Sequence, residues 1–297
     1  MTVTRFLGVD LAWREGRDDR PANETGVAAL GPAGRILDAG WTRGVPDTLD
    51  WANTAAAGQA AVMFVDASLI VRNPAGQRLC ETQVGQRYGA WKVSAHSTNL
   101  RSPRLAGVRL LSLAGQAGWR YSDGSAGPPS SGRVISESFP HCTLVGAAEL
   151  GYDRERPRYK RQPPRLPVAA WRPRRAANCD ELIRRLGRLA TADPPLCLDS
   201  HPVTRQLAGE PSPLGDAAYK HREDLIDALL CAWTAALWVR HGLRRCQVLG
   251  LPDDAAAGTA AGPAATIIVP ARPEQRGTGV QKESFMPSCE GTKPRRS

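Results

Sequence analysis

The stretch VMFVDASLIVRN, residues 62 to 73, is an apolar run that Asp66 interrupts. Its apolar side chains fall on both faces of an extended chain, which predicts a central strand covered from both sides. A carboxylate beside such a strand is costly to bury unless it is compensated. A hydrogen bond, a cation or a metal ion would each compensate Asp66, and the stretch alone does not choose among them.

The residues before this strand predict three antiparallel strands and a helix. Residues 4–13 form a short apolar run that contains Asp10 and predicts the first strand. Residues 25–43 predict two strands around a Gly-Pro-Ala-Gly turn, as in a β-hairpin. Residues 46–58 start with Pro and Asp, continue with Ala-rich helix formers and stop at Gly, which predicts a short helix.

The later chain predicts further helices and strands. Helical leucine spacing marks residues 105–119, and residues 131–141 predict another central strand. Helices are predicted over residues 177–192 and, most strongly, over residues 221–242, with a last short strand at 265–270. The element order predicts an α/β domain with an antiparallel start and later strands joined by crossovers.

Composition indicates a globular protein with an ordinary core. The chain has 297 residues, of which 42% are hydrophobic and 23% charged. Neither a signal peptide nor an 18-residue apolar stretch is evident, which predicts a cytoplasmic protein without a membrane partner. Its seven cysteines are scattered and form no CxxC pair, so free thiols are expected.

The net charge of +10 is concentrated in two segments. Residues 154–175 hold nine basic residues against one Glu, and residues 271–297 carry a net charge of +3. Both segments are rich in Pro, Gly or Ser, which disfavour regular structure. The predicted organisation is one domain over 1–270, with a basic Pro-rich insertion at about 152–178, and a disordered tail over 271–297. The basic segments are either solvated flexible charge or arms that follow a phosphate backbone.

Several carboxylates lie beside apolar sequence. They are Asp10, Asp66, Glu137, Asp224 and Asp227. Asp224 and Asp227 are three residues apart and lie on one side of the predicted helix. Taken singly, each acid is more typical of a structural role, but acids gathered together repel unless they share a cation. Mg²⁺ prefers such oxygen ligands, and two divalent ions can support phosphodiester hydrolysis.

Four blocks resemble a known family. FLGVDLAW, FVDASLIVRN, ESFPH and KHREDLIDALLCAWTA are similar to signature blocks of the domain-of-unknown-function family number 429, whose members are described as predicted RNase H-like nucleases. The resemblance implies an RNase H-like five-stranded mixed sheet flanked by helices. It implies metal ligation by Asp10, Asp66, Asp224 and Asp227 with Mg²⁺ or Mn²⁺. The implied catalytic residues are Asp10, Asp66, Glu137 and Asp227, although Glu137 departs from the usual ligand position.

Basic and amide residues beyond the central strand are candidates for binding substrate. They are Arg72, Asn73, Lys92, His96 and Asn99. His141 and His221 are candidates for approaching the acids and transferring protons, and capping or packing roles are equally open.

The leading hypothesis is a metal-dependent nuclease that hydrolyses phosphodiester bonds of DNA or RNA by a two-metal carboxylate mechanism. One alternative is a non-catalytic nucleic-acid-binding module of the same fold. Another is an ATP-dependent phosphotransferase of the actin-like and sugar-kinase group, which requires Gly-rich phosphate hairpins. The first turn, WREGRDDRPANETG, contains no compact Gly-rich loop and argues against nucleotide binding.

Overall fold

A six-stranded mixed sheet forms the centre of the protein in the computed structural model, which describes residues 2–16, 21–160, 166–251 and 262–276. Its strands are β1 (Arg5–Asp10), β2 (Glu24–Leu30), β3 (Ile36–Arg43), β4 (Ala61–Val65), β5 (Arg120–Tyr121) and β6 (Arg133–Glu137). The strand order is β3-β2-β1-β4-β6-β5. β1, β2 and β3 are antiparallel neighbours, whereas β1, β4, β6 and β5 run parallel. The predicted antiparallel start and parallel continuation are confirmed.

The prediction of five strands was wrong by one. The additional strand, β5, contains only Arg120 and Tyr121 and pairs with β6 at the edge of the sheet. Two residues are too few to show the alternation by which a strand is recognised in a sequence. A separate antiparallel pair is formed by β7 (Cys246–Leu249) and β8 (Ile267–Pro270). β8 matches the predicted last strand, and β7 was not predicted.

Apolar clusters cover both faces of the sheet, as the apolar sequence of β4 predicts. Val62 and Phe64 belong to one cluster, whereas Met63 and Val65 belong to the other. All four side chains are completely buried. This alternation confirms that β4 is a central strand.

In the described part of the chain, seven α-helices surround the sheet. They are α1 (Val45–Ala56), α2 (Leu79–Tyr88), α3 (Ala106–Gln116), α4 (Pro140–Gly146), α5 (Val168–Arg188), α6 (Pro202–Gly209) and α7 (Asp216–His241). α1 and α3 contribute to one apolar cluster, and the other helices contribute to the opposite one. None of these helices combines the length and apolar character needed to cross a membrane.

Two glycines let α7 lie directly on the sheet. A Cβ atom on Gly8 of β1 would lie 2.0 Å from the carbonyl oxygen of Ala228, and one on Gly26 of β2 would lie 2.1 Å from that of Asp224. Both distances are far shorter than any real Cβ contact. The glycines therefore bring the first half of α7, with its acidic residues, against the end of β1.

α5 begins earlier than its sequence predicts. Residues 168–178, assigned to the basic insertion, form its first half and are not a loop. A buried stripe of Trp171, Ala176 and Cys179 continues into the predicted part of the helix at helical spacing. Basic residues on the other sides of the helix conceal this stripe in the sequence. Residues 161–165 of the insertion and 277–297 of the tail lie outside the described residues.

Candidate metal centre

Three carboxylates meet where β1, β4 and α7 come together. Asp10 is the last residue of β1, Asp66 directly follows β4, and Asp227 lies in α7. One oxygen of each carboxylate lies within 4.8 Å of the others. The residues are 8%, 7% and 0% exposed, respectively. The predicted grouping of these three acids is confirmed, and their geometry is able to hold a metal ion.

The strand register explains how two of these acids become neighbours. β1 and β4 are parallel, and Val9 pairs with Val65. The residue after each of these valines is an aspartate, Asp10 or Asp66. The Asp66 amide donates a hydrogen bond of 2.8 Å to the Val9 carbonyl. Because the pairing is parallel, both carboxylates reach the same edge of the sheet.

The protein compensates the negative charge of the cluster only in part. Burial, together with the nearby Asp227 carboxylate, raises the pKa of Asp10 well above its usual range. Burial also raises the pKa of Asp66 to about 7. One oxygen of Asp10, Oδ2, is buried and has no hydrogen-bond partner among the described residues. A divalent cation would supply this oxygen with a ligand bond and favour the ionised carboxylates.

Two residues of the basic insertion contact Asp227. The Tyr159 hydroxyl donates a hydrogen bond of 2.6 Å to Oδ1, and the Lys160 ammonium group contacts Oδ2. Burial disfavours the charged form of Lys160, but the surrounding carboxylates, Asp227 foremost, together outweigh this effect and raise the pKa of the lysine. Neither residue was among the predicted site residues, because no local pattern separates them from their basic neighbours.

A second lysine neutralises the neighbouring acids of α7. Lys220 lies 2.9 Å from Glu223 and also contacts Asp224. Burial raises the pKa of Asp224, and the Lys220 charge opposes this shift. Asp224 lies next to Asp10 and lines the same cavity, but it is not one of the three clustered ligands. Its predicted metal ligation therefore stays a prediction.

An open cavity of about 570 Å³ lies over the cluster. Among the residues that line it are the acids Asp10, Asp66 and Asp224, the cations Arg104, Arg156, Lys160, Arg175 and Lys220, and the aromatic residue Trp13. The Trp13 indole donates a hydrogen bond of 3.0 Å to the Asp66 carbonyl, and the Arg104 guanidinium lies 5.4 Å from its ring centre. The cavity thus combines a carboxylate cluster, cationic side chains and a fixed aromatic ring.

Comparison with known proteins identifies a family. The family model described as "Protein of unknown function (DUF429)" matches residues 8–255, which include all three clustered aspartates and Lys160. The chain belongs to the DUF429 family. No curated protein and no solved structure shows significant similarity to it. The family description leaves activity open, so the chemistry of this DUF429 member has to be inferred from its own residues.

Glu137, the fourth predicted catalytic acid, has a different set of partners. Its two carboxylate oxygens accept hydrogen bonds of 2.7 and 2.8 Å from the Arg78 guanidinium, and the Leu69 amide donates a third. Arg78 also pairs with Glu81, and all three charged side chains are buried. Glu137 therefore anchors the segment that follows β4, and its predicted catalytic role stays a prediction.

Only one of the five predicted substrate-binding residues lines the cavity. That residue is His96, which packs edge-on against Trp13 with ring centres 5.7 Å apart. The amide groups of Asn73 and Asn99 instead donate hydrogen bonds to backbone carbonyls of Thr98 and Gly76, respectively.

The two remaining basic candidates also lie outside this lining. Lys92 is an exposed residue with a left-handed φ of 62°, and its carbonyl accepts a hydrogen bond from Arg156. The Arg72 guanidinium lies beside Gly262, 2.7 Å from where a Cβ atom on that glycine would be. Arg156 and Arg175 belong to the basic insertion, which the sequence singled out only as a whole, and Arg104 was missed because it adjoins no recognisable motif.

The two candidate histidines differ in position. His141 lines the cavity beside Phe139. His221 lies outside the cavity lining, where Nδ1 is 2.7 Å from Glu24 and the ring stacks on Trp41. A proton-transfer role is therefore compatible with the position of His141, whereas the contacts of His221 indicate packing.

Proposed function

We propose that this DUF429 protein is an RNase H-like nuclease that hydrolyses phosphodiester bonds of DNA or RNA with Mg²⁺ or Mn²⁺. The observation that carries the proposal is the buried cluster of Asp10, Asp66 and Asp227 within 4.8 Å. An acid ending the first strand, one after the fourth strand and one on a late helix is the placement that the RNase H-like resemblance implies. The strand order β3-β2-β1-β4-β6 supports the same fold class.

The donor set favours a hard divalent cation. Each member of the cluster offers a carboxylate oxygen, and cysteine and histidine are absent from this set of three. Such ligands suit Mg²⁺ and Mn²⁺ better than soft metals. When bound, such an ion would supply an activated water and stabilise the negative charge that develops on the phosphate.

The cavity lining suits a nucleic-acid strand. Arg104, Arg156 and Arg175 line the cavity and can contact phosphate oxygens. Trp13 is held at the Asp66 carbonyl, where its ring can stack on a base beside the carboxylates. These residues would position the strand and leave the cleavage chemistry to the acid cluster.

Asp10→Asn tests the proposed activity. We expect the wild-type protein to cleave at least one of a panel of single-stranded, duplex, hybrid and branched oligonucleotides with Mg²⁺ or Mn²⁺. We expect Asp10→Asn to lose this cleavage while keeping the wild-type circular dichroism spectrum. Asp199→Asn is a matched control, because Asp199 is exposed and absent from the cavity lining.

The non-catalytic alternative has one observation in its favour. The Lys160 ammonium already contacts Asp227, so part of the negative charge is neutralised by the protein itself. Salt-dependent nucleic-acid binding without cleavage of any panel member would support this alternative and contradict the nuclease. Cleavage that Asp10→Asn retains would place the chemistry outside this cluster.

A further inference from the structure

The position of Lys160 has a consequence for how many metal ions the cluster holds. We propose that the Lys160 ammonium takes the place of one of the two divalent ions of a two-metal mechanism, so that the site takes a single divalent ion held by Asp10 and Asp66. This inference rests on the proposed function, because it treats the cluster as a metal site.

The ion pairs around the cluster divide its carboxylates into two groups. Lys160 contacts Asp227, and Lys220 contacts both Asp224 and Glu223. Among the described residues, no lysine or arginine forms an ion pair with Asp10 or Asp66. The Lys160 and Lys220 charges act on Asp10 and Asp66 without contacting them, so one divalent ion would complete the neutralisation of these two carboxylates.

Hydrogen bonds hold the chain on the N-terminal side of Lys160 in place. The Tyr219 hydroxyl donates a bond of 2.6 Å to the Tyr159 carbonyl, and the Asn178 amide donates a bond of 3.0 Å to the Arg158 carbonyl. The Arg156 amide donates to Trp91, also at 3.0 Å. The ammonium is therefore a built part of the site and not a surface lysine that happens to reach it.

The contacts of the Asp227 carboxylate also support this inference. Its Oδ1 accepts the hydroxyl hydrogen bond of Tyr159, and its Oδ2 contacts Lys160. Both oxygens thus have donors from the insertion, whereas Oδ2 of Asp10 is buried with no hydrogen-bond partner in the part of the chain that the structure describes. The carboxylate oxygen that is free to bind a metal ion therefore belongs to Asp10.

The number of bound Mn²⁺ ions tests this inference without using activity. We expect calorimetric titration of the full-length wild-type protein to give one tightly bound Mn²⁺ per chain. Lys160→Met keeps the length of the side chain but removes its charge, so we expect this variant to bind two. Lys92→Met should bind one, because Lys92 is exposed and is absent from the cavity lining.

Other numbers of bound Mn²⁺ ions would contradict either this inference or the proposed function. Two ions in the wild-type protein would overturn the inference and leave the proposed nuclease intact. One ion in both the wild type and Lys160→Met would also overturn it, since the ammonium would then not occupy an ion position. No bound ion in a folded wild-type protein would contradict the proposed function itself.

A spectroscopic measurement covers the case in which Lys160→Met does not fold. The electron paramagnetic resonance spectrum of the Mn²⁺-saturated wild-type protein distinguishes a magnetically isolated ion from an exchange-coupled pair. We expect the spectrum of an isolated ion. The spectrum of a coupled pair would overturn the inference whatever the variant does.

Discussion

Arg78 and Glu137 form a buried, two-pronged ion pair, with nitrogen–oxygen distances of 2.7 and 2.8 Å. The pair joins the start of α2 to the end of β6, 59 residues further along the chain. The Arg78 guanidinium also donates to the Ile70 carbonyl, so it fixes the segment that leads away from Asp66. The pair stabilises the wall of the site next to the cluster.

Arg78→Met should strongly destabilise the protein. Removing the guanidinium leaves the carboxylates of Glu81 and Glu137 buried without their partner, and breaking a buried ion pair costs about 3–5 kcal/mol. Urea unfolding followed by circular dichroism measures the loss. Arg87→Met, a change at an exposed position of the same helix, should have little effect. A loss below about 1 kcal/mol in Arg78→Met would contradict the assigned role of the pair.

Gly26→Ala should separate α7 from the sheet. The new methyl group would meet the Asp224 carbonyl at 2.1 Å, so we expect a loss of about 3 kcal/mol or more in the free energy of unfolding. Gly40→Ala is the control: this strand glycine has nothing within 4 Å of an added Cβ atom. Equal stability of the two variants would contradict the close packing of α7.

Metal affinity should rise with pH. Burial raises the pKa of Asp66 to about 7, so below this pH a bound cation has to displace a proton. We expect the Mn²⁺ affinity to fall by at least about tenfold for each pH unit below 7, because the Asp10 carboxyl, whose pKa is also raised, has to release its proton as well. Calorimetric titrations at pH 6, 7 and 8 measure this dependence. An affinity that does not change over this range would contradict it.

The metal-free protein should show the opposite dependence in its stability. The native state holds the Asp66 proton up to a pH of about 7, whereas the unfolded chain releases it near the ordinary value of 3.8. The native state therefore binds more protons between these values, so the contribution of Asp66 to stability falls as the pH rises through this window. Asp66→Asn should flatten the decrease in thermal unfolding measurements made with a chelator present. If stability decreases with pH as steeply in this variant as in the wild type, the decrease comes from groups other than Asp66.

Trp13→Ala should weaken the binding of single-stranded oligonucleotides. The ring lines the cavity beside Asp66, and stacking of a base on an aromatic side chain contributes about 1–3 kcal/mol. Fluorescence anisotropy with a labelled oligonucleotide and the inactive Asp10→Asn background measures the change. Trp51→Ala is the matched control, because Trp51 lies on α1 and is absent from the cavity lining. Equal losses in both variants would indicate general destabilisation.

Local patterns were sufficient to predict much of the fold and the three clustered carboxylates. The apolar runs of β1 and β4 and the helical spacing of α7 are properties of consecutive residues. Each run stops at or contains an acid, which is how Asp10, Asp66 and Asp227 were found. β5 and the first half of α5 escaped prediction because the former is too short and the latter is covered with basic residues.

The sequence by itself determined which strands are central, which helix is buried and which acids lie in or beside these elements, because burial imposes a period on neighbouring residues. Only the tertiary structure decided which cations meet those acids. Lys160 contacts Asp227 across 67 residues of sequence, and it is one of nine basic residues that composition cannot tell apart. The packing of Tyr159 against Tyr219 selects it, and no local pattern encodes a contact between elements so far apart in the chain.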